Sequence, residues 1–220
     1  MGFRSASGVI LSRRAVGEGD LLLTLFLKGM GMTFASALGA ARGSVRFGGG
    51  TEPLVWGVFT IYRSGSGKKY LKSVDVADDM LKLRSRPDAL FAAVRWAKLL
   101  TRYLISEDTE MTASPAPAHP LDSLLANFYW SLKLLDKIPA EAAEWRFLWR
   151  WLKNWGLAPE LGEHFCHGRT PRELDLLREV AAAKASELTA AGPDLLRSLY
   201  AHRRLFVDAA RRAEIFLKET

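Results

Sequence analysis

The sequence predicts an α+β protein with two domains, an N-terminal five-stranded β-barrel followed by an all-α helical domain. Over residues 1–80 the apolar residues come in short runs separated by glycine-bearing turns, which is typical of consecutive β-strands. Over residues 81–220 the apolar residues recur with a period of 3.6, and Gly and Pro stand at the breaks, which is typical of helices. We therefore predict one domain over residues 1–80 and a second over 81–220.

The predicted strands follow one another closely along the first domain. Glycine-rich turns join the first three strands, because Gly adopts positive φ at little cost. A loop of small and basic residues, 39–51, then leads to the fourth strand, which starts at Pro53, where a missing N–H does little harm to a ladder. The predicted strands cover residues 8–14, 20–27, 32–38, 53–62 and 70–76.

No segment between these strands is long enough for a helix, so the strands predict a small closed barrel. The five-stranded barrel that binds oligonucleotides is the OB-fold. An open sheet packed against the helical half is the alternative.

Helix-start signals organise the second domain. Ser85 can cap a helix whose first turn carries Pro87 and Asp88. Three prolines within residues 107–120 predict a loop, and further helices are predicted over 121–138 and 140–155.

Thr170 and Glu173 have the spacing of a capping box, and Pro171 stands at the first helical position. This predicts a helix from there to about residue 190. A helical pattern continues to residue 218, with a bend near His202.

Composition and charge limit the function. The chain has 220 residues, of which 49% are hydrophobic and 25% charged, as in ordinary globular proteins. A net charge of +7 fits a nucleic acid or another anionic partner, although an indifferent basic surface is the alternative. The single cysteine excludes an intramolecular disulfide and fits a reducing compartment. The start lacks an apolar leader, and the longest uncharged apolar run, 21–27, is too short for a bilayer. We therefore expect a cytoplasmic protein with no membrane partner.

Two patterns that carry chemistry in other proteins are incomplete in this one. Residues 64–69 (SGSGKK) resemble a phosphate-binding loop, but the upstream Gly is missing and Lys69 stands where Ser or Thr is needed. His164, Cys166 and His167 crowd one loop, whereas a structural zinc site needs four ligands. We therefore expect no cofactor, no metal and no catalytic residues, and predict that the protein is not an enzyme.

Tryptophans recur at helical spacing in the second domain. Trp145, Trp149 and Leu152 fall on one helical stripe, which favours core packing over the stacking of bases. A tryptophan off this stripe, such as Trp151, is the alternative marker of a partner pocket.

Basic residues are the strongest functional signal of the first domain. Residues 1–80 hold ten Lys and Arg against six Asp and Glu, a net charge of +4. Lys and Arg on a barrel can follow a phosphate backbone and displace its counterions. The predicted DNA-binding residues lie in or beside the strands and loops: Arg13, Arg14, Arg42, Arg46, Lys68, Lys69 and Lys72.

Several short motifs, in this order and spacing, resemble a known family. They are residues 8–11 (GVIL), 17–20 (GEGD), 39–42 (GAAR), 61–63 (IYR) and 156–161 (GLAPEL). Together they make the chain similar to the bacterial recombination mediator RecO family.

The resemblance implies an N-terminal OB-fold and a helical C-terminal domain. It implies a DNA repair and recombination role after DNA damage, with binding of single- and double-stranded DNA and annealing of complementary strands. The implied partners are RecR and the C-terminal tail of single-stranded DNA-binding protein (SSB), with which the family helps RecA load onto SSB-coated strands. It also implies a place at the nucleoid and no nucleotide hydrolysis.

The chain departs from the family pattern at two places. Many members carry two Cys-x-x-Cys pairs, but here the first pair falls on His164 and His167 and the second is missing. Residues 161–168 are thus expected to be a remnant of a zinc motif without metal. In the basic loop, Leu38, Gly43 and Val45 stand where relatives commonly carry charge.

Two other functions remain open at this point. The barrel could be a docking module of a protein-interaction adaptor that has no intrinsic DNA binding. An enzyme with an unrecognised site would need a convergent acid, base or metal cluster, which the sequence does not show.

Overall fold

A computed structural model describes residues 2–41, 47–104, 121–161 and 168–218 of the chain. The described strands are β1 (Gly2–Val16), β2 (Asp20–Leu27), β3 (Gly31–Ala37), β4 (Trp56–Arg63) and β5 (Lys69–Asp78). The described helices are α1 (Leu81–Arg84), α2 (Pro87–Tyr103), α3 (Asp122–Leu134), α4 (Ala140–Asn154), α5 (Pro171–Ala182), α6 (Ala185–Thr189), α7 (Pro193–Ala201) and α8 (Arg203–Lys218). The predicted α+β layout, five strands followed by helices, is confirmed.

The five strands form a closed barrel in the order β1-β2-β3-β5-β4. All neighbouring strands are antiparallel except β3 and β5, which are parallel. The long β1 closes the barrel, because residues 2–9 pair with β4 and residues 8–16 pair with β2. A bulge between Ile10 and Ser12 bends the strand where it passes from one partner to the other.

Apolar side chains that alternate along the strands fill the barrel interior. Apolar residues at every second position of the strands form one buried cluster. Its strand members are Ala6, Ile10, Leu21, Leu23, Leu25, Leu27, Ala35, Ala37, Phe59, Ile61 and Leu71, and Met30 joins them from the β2–β3 turn. This alternation leaves the intervening side chains on the outer face of the barrel.

The starts of two strands, β1 and β4, differ from the prediction by three residues or more. The first strand begins at Gly2 rather than at residue 8, because the six additional residues pair with β4, a partner that is distant in sequence. The fourth strand begins at Trp56 rather than at Pro53, because Leu54 has a φ of 70°, outside the range of a strand.

The chain divides into two compact units. One consists of Met1–Ser85 with Ala93–Leu125, and the other of Arg86–Ala92 with Ala126–Thr220. The first unit therefore contains the barrel together with a helical segment. The domain ranges 1–80 and 81–220 stay a prediction.

Tryptophans form the core of the helical unit. Trp145 and Trp149 are buried, which confirms that their stripe faces the core. The alternative role of Trp151 as a partner pocket is wrong, because its side chain is fully buried and packs against Phe147 and Trp155.

Helix α5 ends at Ala182, eight residues earlier than predicted. Two arginines of α4 bind the carbonyl groups at this end of the helix. Arg150 donates hydrogen bonds to the carbonyls of Ala181, Ala182 and Ala183, and Arg146 donates to Ala183 as well. These carbonyls would otherwise lack partners at the end of the helix. Burial, and secondarily the charge of Arg150, lowers the pKa of Arg146 to about 10, so it stays charged at neutral pH.

No helix among the described residues combines the length and the apolar character needed to cross a bilayer.

Gly8 lies where β1 pairs with both β2 and β4, and replacing it should destabilise the barrel. A Cβ atom at this position would lie 2.1 Å from the carbonyl oxygen of Phe26. We expect Gly8→Ala to lower the free energy of unfolding by about 1–3 kcal/mol or more, as overpacking does, measured by urea denaturation. Gly2→Ala, on the same strand, has nothing within 4 Å of its new methyl group and is the matched control. Equal midpoints for both variants would contradict this reading of the contact.

The start of helix α5 should be sensitive to acid. The Thr170 backbone N–H donates a 2.8 Å hydrogen bond to the Glu173 carboxylate. This bond, followed by one from the Thr170 hydroxyl, lowers the pKa of Glu173 below its usual 4.5, and the charges of Arg169 and His202 lower it further. A lowered pKa in the folded state means stabilisation that is complete above the unfolded value and is lost as pH falls through the folded value.

Glu173→Gln keeps a side-chain oxygen that accepts hydrogen bonds but does not titrate. Between about pH 7 and about pH 3 we expect the urea midpoint of the wild type to fall relative to that of Glu173→Gln. A midpoint difference that is independent of pH would contradict the role assigned to the carboxylate.

Candidate nucleic-acid interface

The register of the five strands places one row of residues across the outer face of the barrel. Directly paired residues of neighbouring strands lie on the same side of a sheet. Phe3 pairs with Tyr62, and Tyr62 pairs with Tyr70. Beyond Tyr70 the pairing continues through β3 and β2 back to β1. The complete series, which we call the outer row, is Phe3, Tyr62, Tyr70, Ser36, Leu22 and Arg14.

The outer row follows the stagger of a closed barrel. It leaves β1 at Phe3 and returns to β1 at Arg14, eleven residues further along the strand. Strands of a closed barrel must tilt and shift in register, so a line of paired residues does not return to its starting point. One end of the outer row is therefore aromatic and the other end is basic.

The outer row is open to solvent, whereas another part of the outer face is covered. Phe3 is 67% exposed, Arg14 is exposed, and the four residues between them are partly exposed. By contrast, Val9, Phe26 and Met32 are paired residues that also face outward, yet they are at most 3% exposed. One part of the barrel's outer face is thus buried, whereas the outer row is accessible within the first unit.

Hydrogen bonds within the first unit tie the covered side to a helix. The backbone N–H of Gly29, in the β2–β3 turn, donates a 2.8 Å hydrogen bond to the Asp122 carboxylate at the start of α3. Arg4 donates to the carbonyl of the same glycine. These contacts tie the β2–β3 turn to the start of α3 and to the Arg4 side chain.

The aromatic end of the outer row is closely packed. The ring centroids of Phe3 and Tyr62 are 5.1 Å apart, and those of Tyr62 and Tyr70 are 6.5 Å apart. The Nζ atom of Lys72 lies 5.1 Å from the centroid of the Tyr62 ring, which is a cation–π contact. This places a positive charge directly on an exposed aromatic surface.

Two of the predicted basic residues adjoin the outer row. Arg14 is its basic end, and Lys72 lies against Tyr62. Lys68, in the turn before β5, is exposed and stands two residues before Tyr70. Lys68 and Lys72 thus lie at or beside the aromatic end of the outer row, and Arg14 lies at its other end.

Two other predicted residues make contacts of their own. The Nζ atom of Lys69 donates a 2.8 Å hydrogen bond to the hydroxyl of Thr33, a buried residue of β3. Arg13 forms a 2.7 Å ion pair with Glu52, and both side chains are about two-fifths exposed. The carboxylate of Glu52 offsets the charge that Arg13 would present to a phosphate. Arg42 and Arg46 lie outside the described residues.

The sequence analysis missed the aromatic part of this surface. Phe3 lay before the predicted first strand, and Tyr62 and Tyr70 were assigned to strands without a role. The available signal was alternation: Ile61 and Leu71 are core residues, so their neighbours Tyr62 and Tyr70 had to face outward. The pairing of Phe3 with Tyr62 depends on barrel closure and had no signal in the local sequence.

Among the residues that the structure describes, no group of three or more His, Cys, Asp or Glu is arranged to hold a metal ion. His164, Cys166 and His167 lie outside those residues, so the absence of metal at that cluster stays a prediction.

Comparisons with known proteins agree with this architecture. Residues 1–80 match the family model described as the recombination protein O N-terminal domain. A DNA repair protein RecO of Gloeobacter violaceus is 30% identical over 166 residues, which cover 73% of this chain. The chain belongs to the RecO family. The family match coincides with the five strands of the barrel and therefore with the outer row.

Other RecO proteins match more distantly. That of Acetivibrio thermocellus is 25% identical over 159 residues, or 72% of this chain, and that of an Exiguobacterium species is 29% identical over 99 residues, or 45% of it. The matched regions cover 58%, 59% and 39% of the three RecO relatives, in the order given. This chain therefore spans less than two thirds of the length of the curated relatives that it matches.

Proposed function

We propose that this RecO-family chain is a DNA-binding protein of DNA repair and recombination, in which the barrel holds the nucleic acid. Membership of a family whose relatives are DNA repair proteins supports the role. The single observation that carries DNA binding is the outer row, which joins Arg14 to the Lys72-bearing aromatic end without an acidic member.

We further propose that the barrel is an OB-fold. Five strands, the order β1-β2-β3-β5-β4 and the single parallel pair β3–β5 support this assignment. OB-folds bind oligonucleotides, with aromatic side chains for bases and cations for phosphates.

The mechanism rests on neutralisation of phosphate charge. Arg and Lys contacts to phosphates release counterions and do not depend on base sequence. A protein that neutralises two strands at once reduces their mutual repulsion, so that base pairing decides which strands stay together. Binding of single- and double-stranded DNA and annealing of complementary strands would both follow from this property, with no covalent step and no catalytic residue.

The wider role includes partners that the family resemblance suggests. In this proposal RecR and the C-terminal tail of SSB bind the chain, and together they help RecA load onto SSB-coated strands. The protein acts in the cytoplasm, at the nucleoid. The proposed DNA-contacting set is Arg14, Arg42, Arg46, Lys68 and Lys72, together with Arg13 and Lys69, whose contacts to Glu52 and Thr33 weaken their contribution. The domain of residues 81–220 provides partner surfaces.

An interaction adaptor is the second candidate, and one observation favours it. Helix α8 exposes Val207, Ile215 and Phe216 to an extent of 37–44%. Exposed apolar side chains of this size are typical of protein-binding surfaces. If the chain binds peptides but no DNA of any kind, the adaptor is the correct function.

Binding of a fluorescein-labelled single strand should be strongly salt-dependent. By fluorescence polarisation we expect the logarithm of affinity to fall linearly with the logarithm of salt concentration, with a slope of about −0.7 per phosphate neutralised. The double variant Arg14→Gln/Lys72→Gln should reduce the steepness of that slope by about 1.4. Lys98→Gln, at an exposed position of α2, is the matched control and should leave it unchanged. An affinity of the wild type that does not respond to salt would exclude this mechanism.

Removal of the Glu52 charge should strengthen DNA binding. Glu52→Gln leaves the Arg13 guanidinium without its ion-pair partner, so the cation can contact a phosphate. We expect about a 2- to 5-fold gain in affinity at low salt, which disappears at high salt because exposed charges are screened.

The matched control is Glu18→Gln, which changes the net charge equally at an exposed position in the β1–β2 turn. A gain for Glu52→Gln that does not exceed the gain for Glu18→Gln would show that only net charge matters and that Arg13 has no special role.

A further inference from the structure

Three aromatic side chains occupy adjacent strands on the outside of the barrel, where they do not contribute to its core. Ile61 and Leu71, the neighbours of Tyr62 and Tyr70 in sequence, fill the interior and are at most 1% exposed. Phe3 remains 67% exposed although it is one of the larger apolar side chains of the chain. An exposed apolar cluster is informative, because isolated exposed residues are common but contiguous patches mark binding sites.

The dimensions of this cluster fit a short stretch of unpaired bases. Neighbouring strands lie about 4.8 Å apart, so three strands place their side chains across about 10 Å. Successive bases of a stacked strand are about 3.4 Å apart. The three rings therefore offer room for about two or three bases.

The charge around the cluster fits a polyanion. Lys72 lies over the Tyr62 ring, and Lys68 precedes β5 at the same end of the barrel. The next outward row consists of the hydroxyl residues Ser5, Thr60 and Ser73, of which Ser5 and Thr60 share a 2.9 Å hydrogen bond. Asp75 pairs with Val58, one row further from the rings. Cations and hydroxyls thus lie beside the aromatic surface, whereas Asp75 and Asp78 of β5 pair with Val58 and Trp56, further from the rings.

We propose that Phe3, Tyr62 and Tyr70 form a stacking platform for two or three unpaired bases of single-stranded DNA, with Lys72 placed to contact a phosphate. This rests on the proposed DNA binding and adds a basis for selectivity. Base–aromatic stacking needs an accessible base face, which an intact duplex does not offer along its length. The platform therefore favours single strands, whereas contacts to phosphates alone give single strands no advantage over a duplex.

The test compares one platform variant with two DNA forms. The variant is Phe3→Leu/Tyr70→Leu, which keeps apolar, strand-compatible side chains but removes two rings. With a fluorescein-labelled oligothymidylate of about 12 nucleotides and a duplex of the same length, we expect single-strand affinity to fall about tenfold or more. Duplex affinity should change less than about twofold. Phe91→Leu, which removes an aromatic ring that is 74% exposed and lies outside the barrel, is the control and should change neither.

Two further measurements keep the test independent of variant folding. An oligonucleotide containing 2-aminopurine should change its fluorescence on binding the wild type, because stacking quenches it. Photo-crosslinking of a 5-iodouracil oligonucleotide to the wild type should label peptides that contain Phe3, Tyr62 or Tyr70. Circular dichroism and urea midpoints confirm that the double variant is folded.

The outcomes separate this inference from the proposed function. Suppose that the wild type binds DNA, and that the double variant loses single-strand and duplex affinity equally or loses neither. The stacking-platform proposal is then wrong, whereas the proposed DNA binding is retained. If the wild type binds no DNA, the proposed function and the platform fail together. If the rings instead mediate concentration-dependent self-association, without crosslinks to DNA, the surface belongs to a second copy of the chain and the platform is wrong.

Discussion

Strand β1 pairs with two strands, β4 and β2, and the rest of the structure depends on this double pairing. Its first half pairs with β4 and its second half with β2, and both pairings include Gly8 and Val9. Two backbones can approach this closely at Gly8 because it has no Cβ, which would lie within 3 Å of β2 backbone atoms. Closure by β1 in turn sets the stagger of the barrel, and the stagger decides which outward residues share a row. The close backbone packing at Gly8 therefore decides which residues belong to the outer row, on which the proposed DNA binding depends.

The same closure separates the outer face into two kinds of surface. Val9, Phe26 and Met32 face outward but are buried, so they contribute to stability through apolar burial. Phe3 and Tyr62 also face outward, but they remain accessible within the first unit. Because both sets come from the same strands, strand propensity alone cannot distinguish them. The hydrogen bond from Gly29 to Asp122 shows that the start of α3 contacts the turn between the strands that carry Phe26 and Met32.

Local sequence signals predicted the elements better than the contacts among them. Glycine turns and alternation placed β2 at its observed bounds, and the capping box of Thr170 and Glu173 marked the start of α5. The N-terminal half of β1 and the end of α5 could not be predicted, because each depends on a partner distant in sequence: β4 in one case, and the Arg146 and Arg150 side chains in the other. Likewise, charge identified Arg13 as a candidate contact, but only the fold shows that Glu52 offsets that charge.

The two ends of the outer row offer a nucleic acid different interactions. At the Arg14 end the interaction is Coulombic, acts at the phosphates of either DNA form and weakens with salt. At the Phe3 end stacking acts at the bases and depends much less on salt because it is short-ranged, and it adds to the phosphate contact proposed for Lys72. A single strand can use stacking as well as phosphate contacts, whereas a duplex is held mainly by phosphate contacts. If both proposals hold, raising the salt concentration should lower total affinity while increasing the preference for single strands, and this coupling distinguishes the combined site from either interaction acting alone.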